Sequence, residues 1–165
     1  MKTPLTAQRL RELLHYDPET GLLTRLTDNK RGRRIGDEAG SLHASGSKEV
    51  MVDGINYRYH RVAWLHFHGV WPTFDIDHIN GNKADNRISN LRDVPEDINM
   101  QNERRVRKNN KSGFMGVHWR ADRSSWVASI RVNGKSIRLG SFATAEEAEA
   151  AYIAGKRLHH PGFTL

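Results

Sequence analysis

Residues 74–94 constrain the fold of this chain more than any other stretch. Two short segments with strand composition, 74–79 and 88–94, bracket the polar loop Asn80-Gly81-Asn82-Lys83-Ala84-Asp85-Asn86-Arg87. That pattern reads as strand, loop, strand. Pro95 follows, well placed for the first turn of a helix running to about residue 103. Strand, loop, strand, helix is a compact frame that gathers distant side chains at one point. The first strand carries Asp77-His78, Asn90 stands twelve positions after His78, and Asn99 stands twenty-one after it.

Those residue types at those positions fit metal-assisted phosphodiester hydrolysis. A base must take a proton from water, a divalent ion must hold the phosphate, and something must fix the base. His78 is the candidate base, because an imidazole with an ordinary pKa near 6.5 accepts a proton near neutrality. Asp77 and Asn99 offer oxygen ligands, which favour a hard ion, Mg²⁺ or Mn²⁺. One charged and one neutral ligand make a weak site alone, so DNA phosphate oxygens are expected to complete it. The Asn90 carboxamide can pin the loop backbone behind His78. Neighbouring residues on a regular strand point to opposite faces. Asp77 and His78 therefore need the strand to end or bend there, and Asn80-Gly81-Asn82 supplies the break. A calcium loop beginning at Asp75 fails, because Ile79 and Asn80 fall where an oxygen ligand and a glycine are required.

The Asp77-His78, Asn90 and Asn99 pattern resembles the HNH nuclease family in the His-Asn-Asn form found in phage homing endonucleases. The preceding His60-Arg61-Val62-Ala63-Trp64 resembles the segment before the motif in those proteins, so the likeness covers residues 57–102. It implies a ββα-metal fold with His78 as general base, Asn90 as the structural Asn, and Asp77 and Asn99 as ligands of one divalent ion. It also implies products with 5′-phosphate and 3′-hydroxyl ends. One site per chain implies that a monomer nicks one strand. His60 is expected near the site and against phosphate, whereas His66 and His68, two positions apart on a helix, diverge and read as packing or surface residues.

The chain of 165 residues carries a net charge of +7 and has no cysteine; its pI is near 10. A basic balance of that size fits a nucleic-acid binder. The lack of cysteine excludes disulfides and a zinc ribbon. Mean hydropathy of −0.70 fits small packed units better than one large globule. Residues 1–14 carry charges at Lys2, Arg9, Arg11 and Glu12 and read as neither signal peptide nor membrane span. The expectation is a cytoplasmic protein of a bacterial or phage-infected cell.

Around the motif, residues 5–14 read as a helix capped by Thr6. Residues 15–23 read as a hairpin turning at Asp17-Pro18 and Gly21. Arg31, Arg33 and Arg34 sit in a Gly-rich loop over 28–47 that could lie on phosphates. A second hairpin turns at Asp53-Gly54. A helix over 60–68 should carry Val62, Trp64, Leu65 and Phe67 inward and stop at Gly69. Residues 103–112 are basic and nearly free of apolar side chains, which marks a linker whose Arg104, Arg105, Arg107 and Lys108 can touch DNA backbone.

Residues 114–139 read as three strands with a tight turn at Asn133-Gly134. A helix over 141–159 follows, with Thr144 and Glu147 as a capping box and Ala148, Ala151, Tyr152 and Gly155 as a small-residue face. Alternation puts Trp126, Ala128 and Ile130 on the helix and Val127, Ser129 and Arg131 outside, joined by His118, Arg120, Ser136 and Arg138. Arg120, Arg131 and Arg138 are then candidate base or phosphate contacts. Gly116-Val117, Trp126, Leu139-Gly140 and the helix start resemble the APETALA2-type domain, over residues 110–160. The likeness implies a sheet whose open face enters the major groove. Met115 and His118 replace the arginines usual in plant members, so the plant target sequence does not carry over.

The sequence thus predicts an α+β protein: a ββα-metal nuclease module, then a three-stranded antiparallel sheet packed on one helix. The expected layout is 1–56 (N-terminal helix and β-hairpin region, a possible DNA contact), 57–102 (nuclease), 103–112 (basic linker) and 113–165 (reader). The partner is double-stranded DNA, bound as monomer or dimer. The expected activity is metal-dependent nicking. The alternatives are a DNA-binding regulator with a non-catalytic nuclease fold and a structure-selective nicking enzyme.

Overall fold

The computed structural model describes residues 4–28, 32–44, 46–106 and 108–164. Mixed α and β elements form several antiparallel sheets. The chain divides into two compact units, one ending at Glu96 and one beginning at Asp97.

The first unit opens with α1 (Ala7–Leu13), whose first turn is capped by Thr6: the Arg9 N–H donates to the threonine hydroxyl at 3.1 Å. Strands β1 (Leu14–Asp17) and β2 (Leu22–Arg25) form the first hairpin. A second sheet has the order β3 (Ser41–Leu42), β4 (Lys48–Val52), β5 (Ile55–Arg58). The β4–β5 turn uses Asp53 and Gly54, both at positive φ, the conformation that a two-residue hairpin demands. The short β3, and Glu38, which bridges to Thr24, lie in the stretch that reads as a Gly-rich loop.

Helix α2 (Tyr59–His68) crosses this assembly and ends at Gly69, which adopts the left-handed conformation at φ 79°. Tyr59, Val62, Ala63 and Leu65 are buried. Phe67, expected inside, is 47% exposed. It follows Leu65 by two positions, about 200° around the helix, and so turns away from the face that Leu65 buries. One hydrophobic core joins Leu5, Leu10, Leu14, Tyr16 and Leu23 with Val50, Tyr59, Val62, Ile76 and Leu91. The N-terminal segments therefore share their core with the 57–96 segment.

From α2 the chain passes to β6 (Asp75–His78), which pairs antiparallel with β7 (Leu91–Val94). The Asp93 carboxylate accepts from the N–H groups of Thr73 and Phe74, each at 2.7 Å. Arg61 donates to the Phe74 carbonyl at 3.0 Å. These bonds fix the entry to β6. Residues 88–90, expected as the start of a strand, instead form a single 3₁₀ turn (Ile88–Asn90). The side-chain bonds of Asn90 to the loop hold this tight turn before β7 begins.

The second unit contains α3 (Glu96–Gln101) from its second residue onward, a sheet of order β10–β9–β8, and α4. The strands are β8 (Val117–Arg120), β9 (Ser125–Val132) and β10 (Lys135–Phe142); α4 is Ala145–His159. The capping box of Thr144 and Glu147 is complete. Val117, Ala128 and Ala148 form the buried centre, with Trp126, Leu139 and Tyr152 around it. Gly116 has φ 69°, and a Cβ there would lie 2.1 Å from the Tyr152 ring, so only glycine fits beneath α4. A register shift between Arg138 and Gly140 makes Leu139 an extra residue. Leu139 packs toward Gly155 of α4, while Gly140 returns opposite Ala128. Val127, expected outside, is only 5% exposed. It keeps the predicted outer face, where it lines the groove, but it sits on the central strand with His118 and Ser141 as its cross-strand neighbours.

Candidate active site and nucleic-acid face

The antiparallel register pairs Asp77 with Arg92 and His78 with Leu91. Cross-strand partners share a face, so Asp77 and Arg92 project together and His78 projects from the other side. His78 is buried, 6% exposed. Its ring meets that of His60 at the start of α2 edge to face, with centroids 5.3 Å apart. Regular pairing runs through His78, the last residue of β6, so the strand itself keeps Asp77 and His78 on opposite faces. The Gly81 N–H donates to the His78 carbonyl at 2.8 Å, and the Ile79 N–H donates to the Asn90 carbonyl at 2.9 Å.

Asn90 is also buried. Its side-chain oxygen accepts from the Asn80 N–H at 2.9 Å, and its NH₂ group donates to the Asp85 carbonyl at 2.7 Å. One carboxamide thereby spans the loop from end to end. Asp85 reinforces it by accepting from Asn80 Nδ2 at 2.7 Å and from Arg87 Nε at 2.8 Å and Nη2 at 2.6 Å.

Two further groups near the site have no counterpart in the sequence reading. Arg92 donates through Nε and Nη2 to one oxygen, Oδ2, of Asp77, at 2.9 and 2.7 Å. The strand register was the only signal that could have paired them. Asn86, 2% exposed, places its Oδ1 3.3 Å from His78 Nε2. A polar loop gives no hint of which asparagine turns inward.

Burial pushes the His78 imidazole below its ordinary pKa, opposed by its hydrogen bond to Asn86 and the charges of Asp77 and Asp85. Burial also lowers His60 to about 3, assisted by His78, Arg58, Arg61 and Lys83. A neutral His60 ring packs on His78 and contributes no charge. The Arg87 guanidinium holds the Asp85 carboxyl down at about 2. A depressed folded pKa stabilises the loop fully above the ordinary carboxylate pKa near 4 and loses that contribution as the pH falls through 2. The expected result is an Asp85 carboxyl ¹³C signal that stays in the ionised position at pH 4 and moves only near pH 2. A midpoint near 4 would remove the Arg87 pair.

Asn99 lies on α3, half-buried, in the second unit. Among the described residues, no group of three or more His, Cys, Asp or Glu side chains converges as a cation site.

In the second unit, His118, Arg120, Val127, Ser129, Ser136 and Arg138 line one shallow groove on the open face of the sheet. Arg123 joins them, although the sequence reading did not single it out. It lies in the turn after β8, outside the alternating register. Arg131 is exposed on the same face, opposite Ser136. Arg120 is paired with Asp122 at 2.8 Å, and Arg138 donates to the Ser141 hydroxyl. In the basic segment, Arg105 and Lys108 are exposed. Arg104 is half-buried and donates to Asn102 at 3.3 Å and Thr164 at 3.1 Å. Arg107 lies outside the described residues, as does Arg31.

Residues 57–101, which span β6, the loop, β7 and α3, match the HNH endonuclease family. Protein 3.8 of Escherichia phage T7 is 30% identical over 103 residues, covering 62% of this chain and 84% of that protein. The chain belongs to the family of phage protein 3.8. It carries an HNH endonuclease domain over residues 57–101. A solved structure showing DNA binding and cleavage by the HNH homing endonuclease I-HmuI is similar over 92% of this chain and 90% of that one, at 18% identity and a TM-score of 0.41. Among the described residues, no helix of this family member is long and apolar enough to cross a membrane.

Proposed function

We propose that this protein is a metal-dependent DNA endonuclease that nicks one strand, with His78 as the general base. The observation that carries this reading is the His78 imidazole itself. It is buried at the end of β6, biased neutral by that burial, and lies inside the segment that matches the HNH family. A neutral imidazole accepts a proton from water at physiological pH. Asn90 keeps the loop behind it in one conformation through its bonds to Asn80 and Asp85. His60 packs on the ring and limits its rotation.

Asp77 and Asn99 would hold one Mg²⁺ or Mn²⁺. Their oxygens fit a hard cation, and DNA phosphate oxygens would complete the shell. When bound, such an ion polarises the phosphate and stabilises the departing 3′ oxygen. Arg92 holds Asp77 by one oxygen and orients its carboxylate. Cation affinity should therefore be far higher with DNA present than without it. In the framework of these roles, residues 57–102 act as a ββα-metal nuclease and residues 113–165 as an APETALA2-type reader, joined by the basic 103–112 segment. A cytoplasmic setting in a phage-infected cell suits a relative of protein 3.8.

The outer sheet face supports the reader role. Arg131→Ala should weaken DNA binding by about 1–3 kcal/mol and relax preference at one base position. Arg105→Ala should instead weaken binding evenly across sequences and reduce the salt slope by about one. Equal affinity and selectivity for Arg131→Ala and wild type would remove Arg131 from the reading face. Cleavage of a panel of duplexes tests specificity: one preferred sequence supports a homing-type enzyme, and indifference to sequence with preference for junctions supports a structure-selective one.

A further inference from the structure

We infer that Asn86 fixes His78 as the Nε2–H tautomer, and that the N-terminal β1–β2 hairpin exists in part to hold Asn86 there. Asn86 is then a positioning residue. This rests on the proposed role of His78 as base.

The argument begins with the orientation of the Asn86 carboxamide. Its Nδ2 lies 3.0 Å from the Ala84 carbonyl. A carbonyl can only accept, so the NH₂ end must face Ala84. That leaves Oδ1 facing His78 Nε2 at 3.3 Å. An amide oxygen can only accept, so His78 Nε2 must carry the hydrogen. In a neutral imidazole the basic lone pair is then on Nδ1. Water gives its proton to Nδ1, and the resulting imidazolium keeps its Nε2–H bond to Asn86 throughout.

The second part concerns what holds Asn86. The Tyr16 hydroxyl on β1, buried, donates to the Asn86 carbonyl at 2.7 Å. The Ile88 N–H donates to the Pro18 carbonyl at 3.3 Å. Gly21 in the β1–β2 turn, at φ 73°, approaches so closely that a Cβ would lie 2.4 Å from the Arg87 nitrogen and 2.5 Å from the Asn86 carbonyl carbon. Residues 86–88 are thus seated against the hairpin from three positions. These contacts tie the loop that carries the partner of the base to the hairpin. This gives residues 14–25 a place in the chemistry.

The test is the ¹H–¹⁵N long-range correlation spectrum of His78 in the full chain, without metal or DNA, at a pH where the ring is neutral. His78→Ala identifies the signals by their loss. The expected wild-type pattern has the hydrogen on Nε2. Asn86→Leu should produce a mixture of tautomers and lower kcat about 10²-fold with KM for DNA unchanged, within the reach of a general base. Asn86→Asp, which keeps an acceptor for Nε2–H, should restore the single tautomer. Because Asn86 is buried, Tyr16→Phe serves as a milder variant, expected to mix the tautomers and lower kcat about tenfold. A wild-type ring protonated on Nδ1 overturns the inference, whatever the cleavage assay shows. So does an Asn86→Leu protein that keeps both the Nε2–H pattern and full kcat. A wild type with the Nε2–H pattern that cleaves no DNA would refute the nuclease reading and leave the tautomer assignment standing.

Discussion

His78→Ala should lower DNA cleavage by about 10²–10⁴-fold while leaving DNA affinity unchanged. The size follows from the usual contribution of a positioned general base. The retained affinity follows from geometry: the ring is buried at the end of β6, whereas the exposed cations assigned to DNA lie in the basic segment and on the open sheet face. Folding should survive, because the loop is held by Asn90, Asp85 and Arg87 independently of the imidazole. The loss should appear in single-turnover rate and not in binding. Cleavage within about threefold of wild type would remove His78 from the chemistry.

Leu10→Ala should destabilise the first unit by about 2–5 kcal/mol, the range for truncating a buried leucine, read from urea denaturation. Leu10 is fully buried in the same core as Ile76 of β6 and Leu91 of β7. The cavity would open in the core that also holds Ile76 and Leu91. Cleavage at 37 °C should fall with the folded fraction and recover on cooling. A change below 1 kcal/mol would show that the N-terminal helix is not part of that core.

Much of this was legible in the sequence, for identifiable reasons. Local chemistry announces itself: Thr6, Gly69, Asp53-Gly54, Asn133-Gly134 and the Thr144–Glu147 box each fall where the structure places a cap or turn. The alternation over 126–131 assigned the two sheet faces, because no extra residue interrupts β9 there. Long-range pairing was not legible. Asp77–Arg92 depends on a register set by the turn between two strands, and Asn86 differs from Asn80 and Asn82 only in the direction the loop turns it. The failure at Phe67 came from reading apolar character without the 100° step per residue. The shared core of residues 5–23 with β6 and β7 was hidden because separate amphipathic segments do not say which neighbour they bury against.

The most direct test of the central claim is relaxation of supercoiled plasmid by the wild-type protein with Mg²⁺, with Mn²⁺, and with EDTA. The account predicts open-circular product with either cation, none with EDTA, and none above background for His78→Ala. Equal nicking with EDTA, or equal nicking by His78→Ala, would contradict it.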